Sequence, residues 1–144
     1  MPRHISILFP GQGSQHIGML DNLPTELVES FRGLALQALS FDLIDLIKNG
    51  NEEDLNKTSI TQPAILLTSF IYYKHLQNLT NIKADLMCGH SLGEYSALVA
   101  SNSITLDDAL KLVYQRGLLM ERSLKGSMYA LSLIHISEPT RRSM

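Results

Sequence analysis

Apolar and polar positions along this chain fall into short runs with two distinct periods. Residues 4–9 (His-Ile-Ser-Ile-Leu-Phe) alternate and then run apolar, which predicts a buried first strand ended by Pro10. Residues 25–39 place Leu27, Val28, Phe31, Leu34, Ala35, Ala38 and Leu39 at helical spacing. Residues 41–47 predict a further short helix, stopped by Asn49-Gly50. Residues 51–57 are polar and read as a connection. From Thr61 a stronger helix runs to about Leu79, with Thr61 as its N-cap and Pro63 in its first turn. Leu86, Met87 and Cys88 form a short apolar strand, and a helical run from Leu92 to Ala100 follows it. The last helix starts at Thr105, where Thr105 and Asp108 resemble a capping box. Its stripe of Leu106, Ala109, Val113, Arg116 and Met120 recurs at three and four and is expected to face the core. The order strand, helices, strand, helix predicts an α/β fold with a mostly parallel sheet and no internal repeat.

Composition narrows the classes. The chain has 144 residues, 44% hydrophobic and 18% charged, enough for one globular domain with a core. A net charge of −2 gives no basic footprint, so nucleic acid is not an expected partner. No apolar run approaches membrane-spanning length, and the N-terminal apolar stretch is too short for a signal peptide. The single cysteine, Cys88, forms no internal disulfide and fits a reducing cytoplasm. It reads as a small buried hydrophobe of the second strand rather than as a thiol nucleophile.

The chemistry concentrates between that strand and its helix. Gly89-His90-Ser91-Leu92-Gly93 fits the pattern G-x-S-x-G in the strand–turn–helix setting of a nucleophile elbow. A serine on so sharp a turn projects its hydroxyl into open space, and glycine on both flanks avoids collision. The start of the helix adds partial positive charge beside a developing oxyanion. The competing reading is a glycine-bounded turn whose serine only caps the helix. After the first strand, Gly11-Gln12-Gly13 forms a tight loop with exposed backbone N–H groups, or an ordinary turn. It matches neither the dinucleotide fingerprint, which needs glycine where His16 stands, nor the Walker loop. Arg116 on a core-facing stripe is either a guanidinium aimed into a pocket to grip a carboxylate or a snorkelling side chain at the helix edge.

Four separated motifs, in order, carry a resemblance over residues 5–130. They are Pro10-Gly11-Gln12-Gly13-Ser14-Gln15, Thr61-Gln62-Pro63-Ala64, Gly89 through Ala97, and Gln115-Arg116-Gly117; Gly126-Ser127-Met128 fits the next segment. Together they resemble the malonyl-CoA:acyl carrier protein transacylase family. The resemblance implies an α/β-hydrolase-like domain with an inserted ferredoxin-like subdomain. It also implies ping-pong transfer of a malonyl group from malonyl-CoA to the phosphopantetheine thiol of acyl carrier protein, in fatty acid biosynthesis. Ser91 is matched to the acyl-carrying nucleophile. The backbone N–H groups of Gln12 and Leu92 are matched to the oxyanion hole, and Arg116 to the group that grips the malonate carboxylate. Gln62, His90, Gly89 and Gly93 are supporting positions. No bound cofactor or metal is implied, and a cytoplasmic monomer is expected.

The family's base histidine comes later than residue 130. Of the five histidines, His4, His16, His75, His90 and His135, none occupies that place. Residues 131–141 resemble an in-frame translation of a sequencing adapter, with residues 142–144 as read-through, so residues 1–130 are expected to be the N-terminal part of the acyltransferase domain and 131–144 a non-native tail. The expected polypeptide is thus an inactive fragment, ending before the ferredoxin-like subdomain, with exposed apolar surface. Two other functions fit parts of the pattern. A serine esterase or thioesterase would share the elbow but has no use for Arg116, and a non-catalytic module would only bind carrier protein.

Overall fold

A computed structural model describes residues 4–123, and the tail at 131–144, with His135 and the 126–128 motif, lies outside them. The elements follow as β1 (Ser6–Phe9), α1 (Thr25–Ser30), α2 (Arg32–Leu39), α3 (Leu43–Asn49), α4 (Glu52–Leu55), α5 (Thr58–Leu79), β2 (Leu86–Gly89), α6 (Gly93–Ala100) and α7 (Leu106–Arg122). The two strands pair in parallel, with Ser6 opposite Leu86 and Phe9 opposite Gly89. A parallel pair requires a long crossover, and α1 to α5 supply it. The result is the α/β class expected from the alternation of strands and helices.

The hub is α5. Its middle turns, from Thr61 through Thr68 and on to Ile71, are buried on nearly every side. A helix apolar all round belongs in an interior. Its flank lies against α7, with α6, α3 and α4 around it. Edge-on aromatic pairs fix neighbours to the hub and the sheet: Phe31 meets Phe70 at 5.8 Å, and Phe9 meets Tyr73 at 6.2 Å. Leu43, Ile44 and Ile47 of α3 are fully buried in the same cluster.

Several expectations need correction. The first strand is not buried: Phe9 is, but Leu8 is 75% exposed. Among the described residues the sheet has only two strands, so their outward positions have nothing to pack against. Cys88 is exposed for the same reason. The helix over 25–39 is two, broken at Phe31, and Arg32 opens the second half while tied to Glu29 and Asp42. Residues 51–57 are not only a connection, because Asn51 caps the short helix α4 by accepting from the Asp54 N–H at 2.9 Å. Thr61 is no cap. It lies one turn inside α5, fully buried, and donates to the Leu55 carbonyl at 2.6 Å. Pro63 consequently sits inside the helix rather than in its first turn. The Thr105 cap of α7 is as expected, accepting from the Asp108 N–H at 3.1 Å.

Among the described residues, no helix is long and apolar enough to cross a membrane.

Candidate active site

β2 ends at Gly89 and α6 starts at Gly93, so the chain reverses within three residues. Such a turn cannot be made in an ordinary backbone conformation. Ser91 carries it with φ of 52°, the left-handed region that side-chain-bearing residues rarely adopt. The two flanking glycines give the turn room. A β-carbon on Gly89 would run into the Gly93 backbone, and one on Gly93 would run into the carbonyls of Phe9 and Pro10. The G-x-S-x-G spacing is therefore a steric requirement of this corner.

The Ser91 side chain is exposed rather than packed in the core. It does not cap α6, because that helix start has no side-chain cap; the turn is closed by Gly93 N–H donating to the His90 carbonyl at 2.9 Å. The capping alternative is thus not realised. Among the described residues no hydrogen bond to the Ser91 hydroxyl is found, and none of the described histidines lies bonded to it. His90 lies against Gly11, its carbonyl 2.6 Å from where a β-carbon would stand. This contact brings the loop after β1 beside the elbow.

That loop carries Gln12. Its side chain donates to Thr58 Oγ1 at 3.3 Å, at the first turn of α5, and Gln15 donates to Asn56 at 2.8 Å. Both bonds hold the loop onto the helix start. Among the described residues the backbone N–H groups of Gln12 and Leu92 find no acceptor, so both are free to donate to an incoming oxyanion. Leu92 is anchored meanwhile by a side chain only 1% exposed.

Arg116 is restrained on two sides. It is half-buried, and its Nη1 donates to the carbonyl oxygen of the fully buried Gln62 at 2.7 Å. The other end of that amide donates to Met120 Sδ at 3.2 Å. The guanidinium also lies over the Tyr95 ring, 5.8 Å from its centroid. A snorkelling side chain would not be held on two sides. No carboxylate pairs with Arg116 among the described residues, so its remaining N–H groups can accept one in two-pronged fashion.

Tyr95 stands four residues after Ser91, in the first turn of the helix that the elbow leads into. The exposed hydroxyl and the Leu92 N–H share the elbow, the Gln12 loop lies beside it through the His90–Gly11 contact, and the restrained cation lies over Tyr95 of the helix that follows. Gln62, a supporting position from sequence, proves to be the partner that turns Arg116 inward. Tyr95 and Met120 were not foreseen as site residues. The only signal was spacing, and only for Met120, which follows Arg116 by four on α7.

Comparison with known proteins fits this geometry. A family model described as "Acyl transferase domain" matches residues 7–144. A Haemophilus influenzae protein named malonyl CoA-acyl carrier protein transacylase is 44% identical over 136 residues, covering 90% of this chain and 43% of that protein. A malonyl-transacylase solved in complex with its type II polyketide acyl carrier protein superposes with a TM-score of 0.81 at 43% identity, over 85% of this chain and 40% of that one. The malonyl CoA-acyl carrier protein transacylase of Coxiella burnetii gives 0.80 at 40% identity, over 85% and 39%. The chain spans about two fifths of the length of the curated relatives it matches.

Proposed function

Because the chain belongs to the acyl transferase domain family, we propose that the protein moves a malonyl group from malonyl-CoA to the phosphopantetheine thiol of acyl carrier protein, as a step of fatty acid biosynthesis. The Ser91 hydroxyl attacks the thioester carbonyl, forming a C–O bond while its proton passes to a base. The tetrahedral oxyanion is held by the Gln12 and Leu92 N–H groups; each such donor is typically worth about 2.7–4 kcal/mol of barrier. The C–S bond breaks, and coenzyme A leaves as thiol, taking up a proton. The seryl ester then passes to the carrier's thiol by the reverse of these steps, so one difficult transfer becomes two easier ones. Throughout, Arg116 grips the free carboxylate of the malonyl group. Among the described residues no histidine is bonded to Ser91, so the base is proposed to lie outside them.

The relatives' names support this reading, and the single observation that carries it is the half-buried Arg116, bonded to Gln62 and lying over Tyr95 of the helix that follows the elbow. An esterase acting on neutral acyl groups has no use for a half-buried cation. We further propose that the protein works as a cytoplasmic monomer, without nucleic acid, membrane or bound cofactor; the phosphopantetheine arrives on its partner. The lone cysteine and the net charge of −2 support that placement.

The test uses the full-length protein with labelled malonyl-CoA and acetyl-CoA. Ser91→Ala is expected to abolish covalent labelling. Arg116→Ala is expected to lower malonyl transfer at least a hundredfold and to leave acetyl transfer unchanged or raised. Labelling that persists in Ser91→Ala, or an unchanged acyl preference in Arg116→Ala, overturns the reading.

A further inference from the structure

We infer that Tyr95 and Met120 are positioning residues for Arg116 and set how strongly the site prefers an acyl group with a free carboxylate; this rests on the carboxylate-gripping role of Arg116 proposed above. The argument begins at the Gln62 amide. Its side chain is fully buried, so both ends must find partners within the protein. The carbonyl oxygen accepts from Arg116 at 2.7 Å, and the amide nitrogen donates to Met120 Sδ at 3.2 Å. A hydroxyl in place of that sulfur could either donate or accept, and would not select the amide's orientation at that end. A thioether sulfur only accepts. Met120 therefore fixes which end of Gln62 faces the guanidinium. A flip would turn donor toward donor and leave both buried groups unpaired.

Tyr95 acts from another helix. Its ring face lies 5.8 Å from the Arg116 guanidinium carbon, within the range of a cation–π contact. Because Tyr95 lies in the first turn of α6, into which the Ser91 turn leads directly, the ring ties the cation's position to that of the nucleophile. Gln62 comes from α5 and Met120 from α7, so three helices fix one guanidinium. With Nη1 engaged by Gln62, the other N–H groups remain for the carboxylate. Among the described residues the charge rests on an aromatic face, not on an acid that the substrate would have to displace.

The experiment measures kcat and KM of the full-length protein for malonyl-CoA and acetyl-CoA, and their kcat/KM ratio, which is insensitive to the fraction of folded enzyme. Tyr95→Leu is expected to lower the malonyl-to-acetyl ratio about three- to tenfold, the size of a partly desolvated cation–π contact. The change should enter through malonyl KM, with acetyl kcat/KM unaltered, and Tyr95→Phe, which keeps the ring, should restore the ratio to within about twofold. Met120→Leu, similar in volume but without an acceptor, is expected to lower the ratio about threefold, the worth of one ordinary hydrogen bond. Arg116→Ala serves as reference. If it collapses the ratio while Tyr95→Leu and Met120→Leu both leave it unchanged, the positioning roles are wrong and the reading of Arg116 stands. Either variant failing alone removes that residue from the proposal. Equal losses on both substrates mean a merely structural role and also overturn it. An unchanged ratio in Arg116→Ala removes both inferences together.

Discussion

Ser91 occupies a backbone conformation that costs an L-residue roughly 1–2 kcal/mol relative to glycine. That strain aims the hydroxyl outward, and the rest of the corner holds it there. Replacement therefore separates chemistry from stability. Ser91→Gly and Ser91→Ala both remove the hydroxyl, but only Gly relieves the strain. Ser91→Gly is expected to be more stable than Ser91→Ala by about 1 kcal/mol in paired thermal or urea melts. Equal midpoints would mean that the turn carries no strain. The position of this serine was legible in the sequence because its two glycines are a steric condition of the turn. The restraint of Arg116 was only half legible. An arginine on an apolar stripe signals a partner, but Gln62 lies 54 residues away and Tyr95 on a different helix. No local pattern shows such a meeting.

Among the elements, α5 departs most from its sequence reading, and its start explains why. Thr61 and Pro63 are a plausible helix opening, yet the helix begins at Thr58. Its first turn is completed from far along the chain: the Ser59 N–H donates to Glu121 of α7 at 2.7 Å. That donor would otherwise be one of the orphan N–H groups of a helix N-terminus, and a carboxylate there also suits the helix dipole. Beside it, Gly117 lies against the Ser59 backbone, where a β-carbon would collide. Glu121→Ala is expected to cost about 1 kcal/mol, as the loss of a cap does. Gly117→Ala is expected to cost about 1–3 kcal/mol through overpacking between two helices that cannot both stay in place. Chemical denaturation measures both; a neutral Gly117→Ala would show that α5 and α7 can separate freely. The junction of α1 and α2 supplies a pH-dependent counterpart. The Arg32 guanidinium bonded to Glu29 holds the Glu29 carboxyl below the usual glutamate range. A carboxyl depressed in the folded state stabilises fully above its unfolded value, and the contribution fades as pH falls through the folded one. The wild type should thus lose more stability than Glu29→Gln when pH is lowered from 5 to 3, measured by melting temperature at each pH. An equal loss would show that the pair contributes nothing.

At the scale of the whole molecule, the corner proposed to carry the nucleophile lies among the described residues, and no base is bonded to it there. The elbow, the two free N–H groups and the restrained arginine all belong to residues 4–123, yet among them no histidine is bonded to Ser91. His16 is engaged with the Ser14 carbonyl at 3.3 Å, and His90 lies against Gly11. The sheet tells the same story in apolar surface, with Leu8 75% and Leu86 58% exposed on adjacent parallel strands. Exposed apolar strands of this kind are association surfaces. The fold class was legible from the alternation of strands and helices; the burial of the strands was not, because burial depends on what lies beside them. These facts bear on one measurement with the 144-residue chain alone. A serine hydroxyl without a positioned base loses roughly 10²–10⁴ in rate, while the oxyanion donors and the carboxylate grip proposed above would still be present. Labelled malonyl-CoA should therefore acylate Ser91 of this chain at least a hundredfold more slowly than it acylates the full-length protein. The residual labelling should still prefer malonyl over acetyl, because Arg116, Gln62 and Tyr95 are all present. Labelling at the full-length rate would mean that a base is supplied from within the chain. Slow labelling without acyl preference would mean that the arginine site needs the rest of the protein to form.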